Sequence, residues 1–268
     1  MYNQCVQNEA PVSSRHAAAT ICEIFSGIQG EGTLVGYRQL FVRFHGCNLA
    51  CRYCDTAAAR RPAPATCAVE TAAGGRVLTY LPNPLTVAEL LTTVRRLAAD
   101  YPHHSLSLTG GEPLLYGGFL NVLLPKLHAE GYVTYLETNG VCSAELAGLH
   151  EAPRLIAMDI KLPSAAGIPP RWDAHDAFLA VALTRVGVTG VQVKCVFGAE
   201  SLADVTQAAQ LVAVHDPATP FILQPVTPGP AGPSSPDAAM VLEAQRLAAR
   251  YLRHVRVIPQ THMQLGQW

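Results

Sequence analysis

Three cysteines stand close together at Cys47, Cys51 and Cys54, directly after the apolar run 40–44. This C-x3-C-x2-C spacing places three thiolates on one short loop. Three thiolates can hold three irons of a [4Fe–4S] cluster, which normally takes four ligands, so the fourth iron stays free to bind a small molecule. A ribbon-type zinc site needs a second C-x2-C pair or a histidine pair downstream, and the sequence has neither at that spacing. Structural zinc and loosely packed free thiols are the alternatives to an iron–sulfur site.

The other five cysteines are scattered singly and offer no second cluster-binding run. Because the chain is long and shows no export signal, a disulfide framework is not expected. Buried free thiols that act as small apolar side chains are the expectation for Cys142 and Cys195. Free thiols indicate a reducing compartment and so predict a cytoplasmic protein. The five are Cys5, Cys22, Cys67, Cys142 and Cys195.

The composition fits one domain with a full hydrophobic core, since 49% of the 268 residues are hydrophobic and 15% are charged. The formal net charge is −1 and no basic block occurs, which argues against a nucleic-acid-binding surface. No apolar run approaches eighteen residues, so no membrane span is expected. Residues 1–20 lack the apolar core of a secretory signal, and we predict a loose leader there before a single domain at 21–268.

Strands and helices alternate along the chain after this leader. Such alternation predicts an α/β fold, with parallel strands joined by right-handed crossovers. A helix at 86–97 opens with a capping box formed by Thr86 and Glu89. Stretches rich in Pro, Gly and Ala predict irregular insertions at 57–84, with a small hairpin at 76–81, and at 162–178, with a short helix. The remaining predicted strands are 21–25, 39–44, 105–108, 132–136, 155–158, 191–197, 221–223 and 255–258, and the remaining helices are 119–130, 143–150, 201–214 and 237–252.

A polar or glycine-rich motif follows directly after most of these strands. In α/β barrels and open sheets, ligands bind at the carboxyl ends of the strands. One site at that edge therefore accounts for all the motifs together. They are Gln29-Gly30-Glu31, Gly110-Gly111-Glu112-Pro113, Glu137-Thr138-Asn139-Gly140, Asp159-Ile160-Lys161 and Gln224-Pro225.

The cysteine loop resembles the signature of the radical S-adenosylmethionine (SAM) superfamily. Three segments narrow the resemblance to the 7-carboxy-7-deazaguanine synthases: residues 24–32 (IFSGIQGEG), residues 51–56 (CRYCDT) and residues 259–262 (PQTH). This resemblance runs from about residue 23 to the end of the sequence. It implies a partial (β/α) barrel of the radical SAM type, with parallel strands and modified helical crossovers. It also implies a [4Fe–4S] cluster on the three loop cysteines, with SAM on the free iron.

The resemblance implies that SAM contacts the motifs at the strand ends. Each motif also has a simpler interpretation. The Gly-Gly and Asn-Gly steps suit plain turns, Asp159 and Lys161 suit an ion pair at a strand end, and Gln224-Pro225 suits a proline-shaped turn. The residues implied to contact SAM are Tyr53, Cys54, Asp55, Gly111, Asn139, Asp159, Lys161, Gln224, Pro225, Val226 and Thr227.

A pocket for a carboxylate-bearing substrate is implied beside the loop that follows the first strand. Arg43 faces the same space, and its planar, permanently charged fork suits a carboxylate better than lysine does. The alternative, a paired core charge, is rarer. Thr56 matches the family position whose hydroxyl binds Mg²⁺, and a turn-capping threonine is the alternative. The residues implied to contact the substrate are Ile28, Gln29, Gly30, Glu31, Arg43, Thr109 and His262, the last of which would otherwise be an ordinary surface histidine.

The resemblance implies a radical lyase reaction on a small pterin. Its family converts 6-carboxy-5,6,7,8-tetrahydropterin to 7-carboxy-7-deazaguanine with loss of ammonia, in queuosine or other deazapurine biosynthesis. No side chain is assigned as the catalyst, because the cluster and SAM generate the radical. The expected partners are the pterin, a flavodoxin- or ferredoxin-type reductant and a second copy of the chain in a homodimer.

Two other classes share part of this pattern. A glycyl-radical-enzyme activating enzyme also has the cysteine loop and the GGEP-like turn, but it does not require a carboxylate pocket built from Gln29, Arg43 and His262. An iron–sulfur electron carrier fills all four iron positions with protein ligands, whereas this loop supplies three. A zinc-stabilised binding module is the remaining non-enzyme alternative.

The cysteine assignment predicts a sharp division among the thiols. Replacement of Cys47, Cys51 or Cys54 by Ala should abolish SAM cleavage, because each thiolate holds one iron. Cys142→Ala and Cys195→Ala should leave cleavage intact. SAM cleavage by the anaerobically reconstituted proteins measures this, and full activity after the loss of one loop cysteine would contradict the assignment.

Overall fold

Strands dominate the architecture of the computed structural model, which describes residues 17–227 and 232–266. The strands in these residues are Ala18–Ala19 (β1), Ile21–Ile28 (β2), Arg38–Phe44 (β3), Thr66–Glu70 (β4), Leu78–Pro82 (β5), Leu85–Thr86 (β6), Ser105–Gly110 (β7), Thr134–Thr138 (β8), Leu155–Asp159 (β9), Val191–Phe197 (β10), Phe221–Pro225 (β11) and Val255–Val257 (β12). The α-helices are Val87–Asp100 (α1), Gly117–Ala129 (α2), Ser143–Ala147 (α3), Pro163–Ala166 (α4), Trp172–Val186 (α5), Leu202–His215 (α6), Ala238–Ala248 (α7) and Thr261–Gln264 (α8).

Ten of the strands form one sheet in the order β12-β11-β10-β9-β8-β7-β3-β2-β4-β5. The seven strands from β12 to β3 are mutually parallel. The sheet is not closed by hydrogen bonds between its two edge strands, as in a partial barrel. The predicted α/β fold, with parallel strands in a partial barrel, is therefore confirmed. The main predicted strands and helices agree with the structure to within four residues at their ends, apart from the two insertions.

The two faces of the sheet differ in chemistry. On β7, Leu106 and Leu108 lie in the hydrophobic core under the helices, whereas Ser105, Ser107 and Thr109 point to the opposite, inner face. Helix α1 covers the core side and begins with the predicted capping box: Thr86 Oγ1 accepts from the Glu89 amide at 3.3 Å, and Glu89 Oε2 accepts from the Thr86 amide at 2.8 Å. The inner face is therefore the polar surface available for a site.

The first insertion, residues 57–84, is more regular than predicted. β4 and β5 form an antiparallel hairpin that extends the main sheet, because β4 pairs in parallel with β2. The predicted hairpin at 76–81 covers only the second of these strands. The buried carboxylate of Glu70 accepts hydrogen bonds from the amides of Ser26 and Gly74, both at 2.9 Å, and so fixes the hairpin to the sheet.

The second insertion, residues 162–178, contains the start of a long helix that the sequence interpretation missed. α4 is the predicted short helix, but α5 already begins at Trp172 and continues to Val186. Phe178, Leu179 and Ala182 share its buried face. The prolines just before the helix gave the stretch an irregular composition and hid the apolar periodicity that follows.

The predicted leader also ends earlier than residue 20. Ala17 and Ala19 are buried, and β1 pairs antiparallel with β6. Residues 1–16 of the leader, with Cys5, lie outside the described residues. No helix among the described residues is long and apolar enough to cross a membrane.

The loop between β2 and β3, residues 29–37, takes an unexpected route and is called the crossing loop below. β2 runs antiparallel to β3, and Ile28 pairs with Arg38, so the loop begins at the amino-terminal end of β3. It then reaches the far side of the inner face, where the Thr33 amide donates to Gln192 Oε1 at 2.6 Å. The motif Gln29-Gly30-Glu31 therefore enters the site across the inner face, rather than from the carboxyl edge as predicted.

A buried histidine on α5 connects two of the strand ends. His175 Nδ1 donates to the Gly140 carbonyl oxygen at 3.0 Å, and Nε2 accepts from the Lys161 amide at 3.1 Å. This arrangement requires a neutral ring, and burial lowers the pKa of His175 to about 4. The loops after β8 and β9, which carry Asn139 and Lys161, are thereby held at a fixed separation.

The neutrality of His175 predicts a pH-dependent stability. Its folded pKa is depressed, so the unfolded chain binds the proton first as the pH falls below about 6.5. The free energy of unfolding should therefore decrease by about 2 kcal/mol from this group between pH 7 and pH 5. Urea unfolding at the two pH values measures the difference. The cluster-free protein is used because acid would release iron from the cluster.

His175→Phe should be less stable at both pH values, but its free energy of unfolding should not show the decrease of about 2 kcal/mol that comes from His175. His150 is exposed, so His150→Phe should retain that decrease. An unchanged pH dependence in His175→Phe would contradict the assignment.

Candidate active site

The cysteine loop lies between β3 and a short 3₁₀ helix at Ala57–Arg60. Cys51 is buried, Cys47 is half-buried and Cys54 is exposed. Burial raises the pKa of the Cys47 and Cys51 thiols in the absence of a cluster. A small apolar cluster that includes Leu49, Cys51 and Ala166 packs around the loop and shields it. Cys51 interacts electrostatically with both Cys47 and Cys54, so the three thiols lie close together, as a cubane cluster needs.

The GGEP turn is pressed against the cysteine loop. A Cβ atom on Gly111 would overlap the carbonyl oxygen of Gly46, so no side chain fits at this position. The Glu112 amide donates to that same oxygen at 2.7 Å. The buried Glu112 carboxylate accepts from the amides of Leu114 and Asn139, and burial raises its pKa to about 7. The turn therefore links the cysteine loop to the end of β8.

Asn139 lies beside the cysteine loop. Its Nδ2 donates to Asn48 Oδ1 at 2.7 Å and lies 3.9 Å from Cys47 Sγ. The turn alternative for Asn139-Gly140 is also satisfied, since Gly140 has a φ of 67°. The two interpretations are compatible, because the turn is what directs the amide towards the cysteine loop.

Asp159 and Lys161 form the ion pair that was the alternative interpretation of their motif, with Lys161 Nζ 2.6 Å from Asp159 Oδ2. Burial opposes the charge on Lys161, but Asp159 more than offsets this and raises the pKa of the ammonium. Lys161 Nζ also lies 5.6 Å from the centre of the Tyr53 ring. The ion pair uses only one of the two oxygens of Asp159.

Three predicted SAM residues carry buried polar atoms without a hydrogen-bond partner. These atoms are the Tyr53 hydroxyl, Asp159 Oδ1 and Gln224 Oε1. Only seven side-chain atoms in residues 17–227 and 232–266 are in this condition, so the concentration of three at one site is informative. SAM has an ammonium and ribose hydroxyls that can donate to such acceptors. These three buried acceptors therefore fit SAM, and the three-cysteine loop fits the [4Fe–4S] cluster.

The side chains of the inner face form a connected polar layer on the substrate side. Gln29 Nε2 donates to Gln39 Oε1 and to Glu137 Oε1, both at 2.9 Å. Ser107 and Thr109 donate to the same Glu137 carboxylate at 2.7 and 3.2 Å. Glu137 is thus the common acceptor at the centre of this layer, and Thr109 is part of the layer.

Glu31 is the junction between the crossing loop and the far strands. Its carboxylate accepts from Lys194, from Gln224 Nε2 at 3.1 Å and from Gln260 Nε2 at 2.8 Å. Burial would raise the pKa of Glu31, but the Lys194 ammonium, together with Gln260, more than offsets it and lowers the pKa to about 2. Glu31 is therefore a carboxylate at neutral pH.

The C-terminal motif closes the site against the crossing loop. The Thr261 amide donates to the Gly30 carbonyl oxygen at 3.0 Å, and a Cβ on Gly30 would overlap His262. His262 offers one ligand atom within 4.8 Å of carboxylate oxygens of Glu31 and Asp55. Thr56 Oγ1 donates to Asp55 Oδ1 at 2.8 Å, so Thr56 lies at the edge of this same group.

Arg43 is paired in the structure, through Nε to Glu23 Oε1 at 2.5 Å. Burial lowers the pKa of a guanidinium, but Glu23 more than offsets this and raises the pKa of Arg43. The terminal amino groups of Arg43 make no hydrogen bond to any described residue. The charge of Arg43 is therefore compensated, as in the paired-charge interpretation, while the open fork of its terminal amino groups has no hydrogen-bond partner among the described residues.

The remaining predicted residues lie at the margins of the site. Ile28 is the last residue of β2. The Val226 amide donates to the Phe197 carbonyl oxygen at 2.9 Å, which orders the turn after Pro225. Thr227 Oγ1 donates to Gln260 Oε1 at 2.5 Å and so touches the Glu31 junction through Gln260.

Three inner-face residues were missed by the sequence interpretation, namely Gln39, Gln192 and Lys194, and Glu137 was named only as part of its motif. Their signal was the period-two alternation of β3, β8 and β10, in which a polar residue recurs on one face of strands that are otherwise apolar. In a sheet covered by helices on its other face, a buried polar stripe of this kind indicates a lined pocket.

The fold and the three-cysteine loop together define a radical SAM protein, and residues 41–167 match the model of the radical SAM superfamily. The chain is therefore a radical SAM enzyme, which confirms the prediction of a [4Fe–4S] cluster and SAM as its cofactors.

Within this class the sequence is similar to two curated 7-carboxy-7-deazaguanine synthases. It is 43% identical to that of Geobacter sulfurreducens, over 93% of this chain and 98% of the relative. It is 34% identical to that of Methanothermobacter thermautotrophicus, over 92% and 97%. The crystal structure of QueE from Escherichia coli shares the fold, with a TM-score of 0.59 at 21% identity over 96% of this chain and 100% of that chain. The chain belongs to the 7-carboxy-7-deazaguanine synthase family.

The open fork of Arg43 predicts a role in substrate affinity. Arg43→Lys keeps the charge but loses the bidentate geometry, so the KM for a carboxylate substrate should rise about tenfold. SAM cleavage without substrate and the melting temperature should stay near those of the wild type.

Glu23→Gln is the matched control, because it keeps an acceptor for Arg43 Nε and removes only the charge of the partner. Its KM should change less than about threefold. A large drop in melting temperature of Arg43→Lys with an unchanged KM would instead identify a structural charge.

Proposed function

We propose that this chain converts 6-carboxy-5,6,7,8-tetrahydropterin to 7-carboxy-7-deazaguanine with loss of ammonia. The observation that carries the proposal is the junction at Glu31. There the crossing loop, which matches the substrate motif, shares hydrogen bonds with Gln224 of the SAM motif and with Gln260 of the C-terminal motif. A substrate on the inner face would therefore lie next to SAM.

The polar layer has the chemistry to hold such a pterin. Its ring N–H groups need acceptors, and Glu31 and Glu137 supply carboxylates on the inner face. The carboxylate of the substrate needs a cation, and the open fork of Arg43 supplies one. The cluster and SAM supply a carbon-centred radical that removes a hydrogen atom from the substrate. The residues of the chain bind, orient and enclose the reacting molecule.

We propose that Mg²⁺ binds at Thr56 and bridges the protein and the substrate. Thr56 is hydrogen-bonded to Asp55, whose carboxylate lies within 4.8 Å of ligand atoms of Glu31 and His262. Magnesium prefers oxygen ligands and keeps several waters, so one or two protein oxygens and the substrate suffice. The neighbouring carboxylates support a divalent cation here.

An acidic reductant of the flavodoxin or ferredoxin type is the proposed electron donor. Three exposed arginines flank the cysteine loop: Arg52 within it, and Arg60 and Arg61 at the end of the 3₁₀ helix. Arg60 and Arg61 line a surface cavity that also includes Cys47. Positive charge around the point of electron entry would steer an acidic partner to the cluster.

We further propose a cytoplasmic homodimer, with the working domain extended from the expected 21–268 to include β1. β5 is an edge strand of the main sheet, and its Tyr80 side chain is 61% exposed. An exposed edge with a large aromatic side chain is a surface that a second copy of the chain would cover.

Product analysis tests the proposed function. The protein is reconstituted anaerobically with iron and sulfide, reduced with dithionite, and given the pterin, SAM and Mg²⁺. We expect 7-carboxy-7-deazaguanine and ammonia in equal amounts by mass spectrometry and ammonia assay. Formation of 5′-deoxyadenosine with no deazaguanine would refute the proposed substrate.

The same assay tests the magnesium proposal in the Thr56 variants. Mg²⁺ should lower the KM for the pterin in the wild type and in Thr56→Ser, which keeps the hydroxyl. Thr56→Val keeps the shape and should lose the response. If Thr56→Val lowers cluster content and retains the magnesium response, Thr56 only caps its turn.

A further inference from the structure

Lys194 lies between two carboxylates that belong to different ligand sites. Its Nζ forms an ion pair with Glu31 Oε2, on the crossing loop, and lies 3.4 Å from Asp159 Oδ2, at the end of β9. Only 15% of the lysine side chain is exposed. Glu31 is on the proposed substrate side and Asp159 on the SAM side, so one ammonium group touches both.

The position of Lys194 relative to the two carboxylates is set in different ways. Asp159 pairs directly with Lys194 in the parallel register of β9 and β10, so that contact comes with the sheet. Glu31 reaches Lys194 only because the crossing loop spans the inner face. The Asp159 contact is therefore fixed by the sheet, and the Glu31 contact depends on the placement of a loop.

The second contact of Asp159 shows how a ligand would influence this link. Asp159 Oδ2 is shared by Lys161 at 2.6 Å and by Lys194 at 3.4 Å, whereas Oδ1 is buried and has no partner. A donor group that occupies Oδ1 would fix the rotation of the carboxylate, and with it the direction of Oδ2. Lys194 would then be held in the position from which it pairs with Glu31.

Packing alone does not require a charge at Lys194. Buried ion pairs are often no more stabilising than apolar side chains of similar volume. Burial opposes the charge on Lys194, yet Glu31 and Asp159 more than offset it and raise the pKa of the ammonium. The group is a permanent cation between two anions.

We propose that Lys194 is a positioning residue that couples the two ligand sites, so that SAM bound against Asp159 raises the affinity of the crossing loop for the pterin, and the reverse. The inference rests on the proposed function, because it takes the pterin as the ligand of Glu31. Coupling of this kind is reciprocal: each ligand must change the affinity for the other by the same factor.

Binding to the holoenzyme without reductant measures this factor directly, since SAM and the pterin then stay intact. The Kd for SAM is determined by anaerobic calorimetry with and without saturating pterin. In the wild type, the pterin should lower the Kd for SAM at least fivefold, a typical size for coupling between sites. In Lys194→Met the ratio should fall to within about twofold of one, and Lys194→Arg should retain part of it.

Two comparisons separate coupling from a loss of structure. Lys126→Met removes an exposed lysine and should keep the wild-type ratio. Glu31→Gln should lower the ratio as much as Lys194→Met does, and the double variant should lower it no further, because the two residues act through one contact. If Lys194→Met does not fold, Lys194→Arg and Glu31→Gln carry the test.

The outcomes distinguish this inference from the proposed function. A wild-type enzyme that makes 7-carboxy-7-deazaguanine but shows the same coupling ratio in Lys194→Met overturns the role of Lys194 alone. A wild-type ratio of one also overturns it. A pterin that neither binds nor reacts overturns both proposals.

Discussion

Compensation of buried charge is the constraint on which the inner face of this sheet depends. Lys161, Asp159, Lys194 and Glu31 form a chain of alternating charges that runs from the SAM motif to the crossing loop. Each member is buried or nearly so, and an unpaired charge in such a place is strongly destabilising. The crossing loop therefore has a defined position on the inner face, because Glu31 supplies the last negative charge of the chain.

Close backbone contact is the second constraint, and it acts on the cluster side. The GGEP turn meets the cysteine loop without room for a side chain at Gly111. The Glu112 amide donates to Gly46 of the loop, and the Gly111 amide donates to Phe44 at the end of β3. Glu112 then ties the turn to Asn139, and His175 ties the loop after β8 to the loop after β9. The cluster pocket and the SAM residues are thereby held by one set of polar contacts.

These two constraints shape the site, and the site rather than the partial barrel determines which ligand binds. A partial barrel with an open side can bind many ligands, and fold does not determine function. Here the open side is spanned by the crossing loop, which docks on Gln192, and by the C-terminal motif, which docks on Gly30. The inner face that they cover carries the carboxylates of Glu31 and Glu137 and the guanidinium of Arg43.

The sequence by itself determined what depends on neighbours along the chain. The spacing of the three cysteines, the capping box of α1 and the motifs at most strand ends are local patterns, and the structure has them where they were predicted. Local composition also misled, since the prolines before α5 and the glycines around the β4–β5 hairpin hid regular structure. Only the tertiary structure decided the route of the crossing loop, the Glu23 partner of Arg43 and the place of Lys194 between Glu31 and Asp159. Lys194 and Glu31 are more than 160 positions apart in the sequence. Strand order, register and direction set such distances, and because they depend on how the whole sheet packs, no single stretch of sequence contains them.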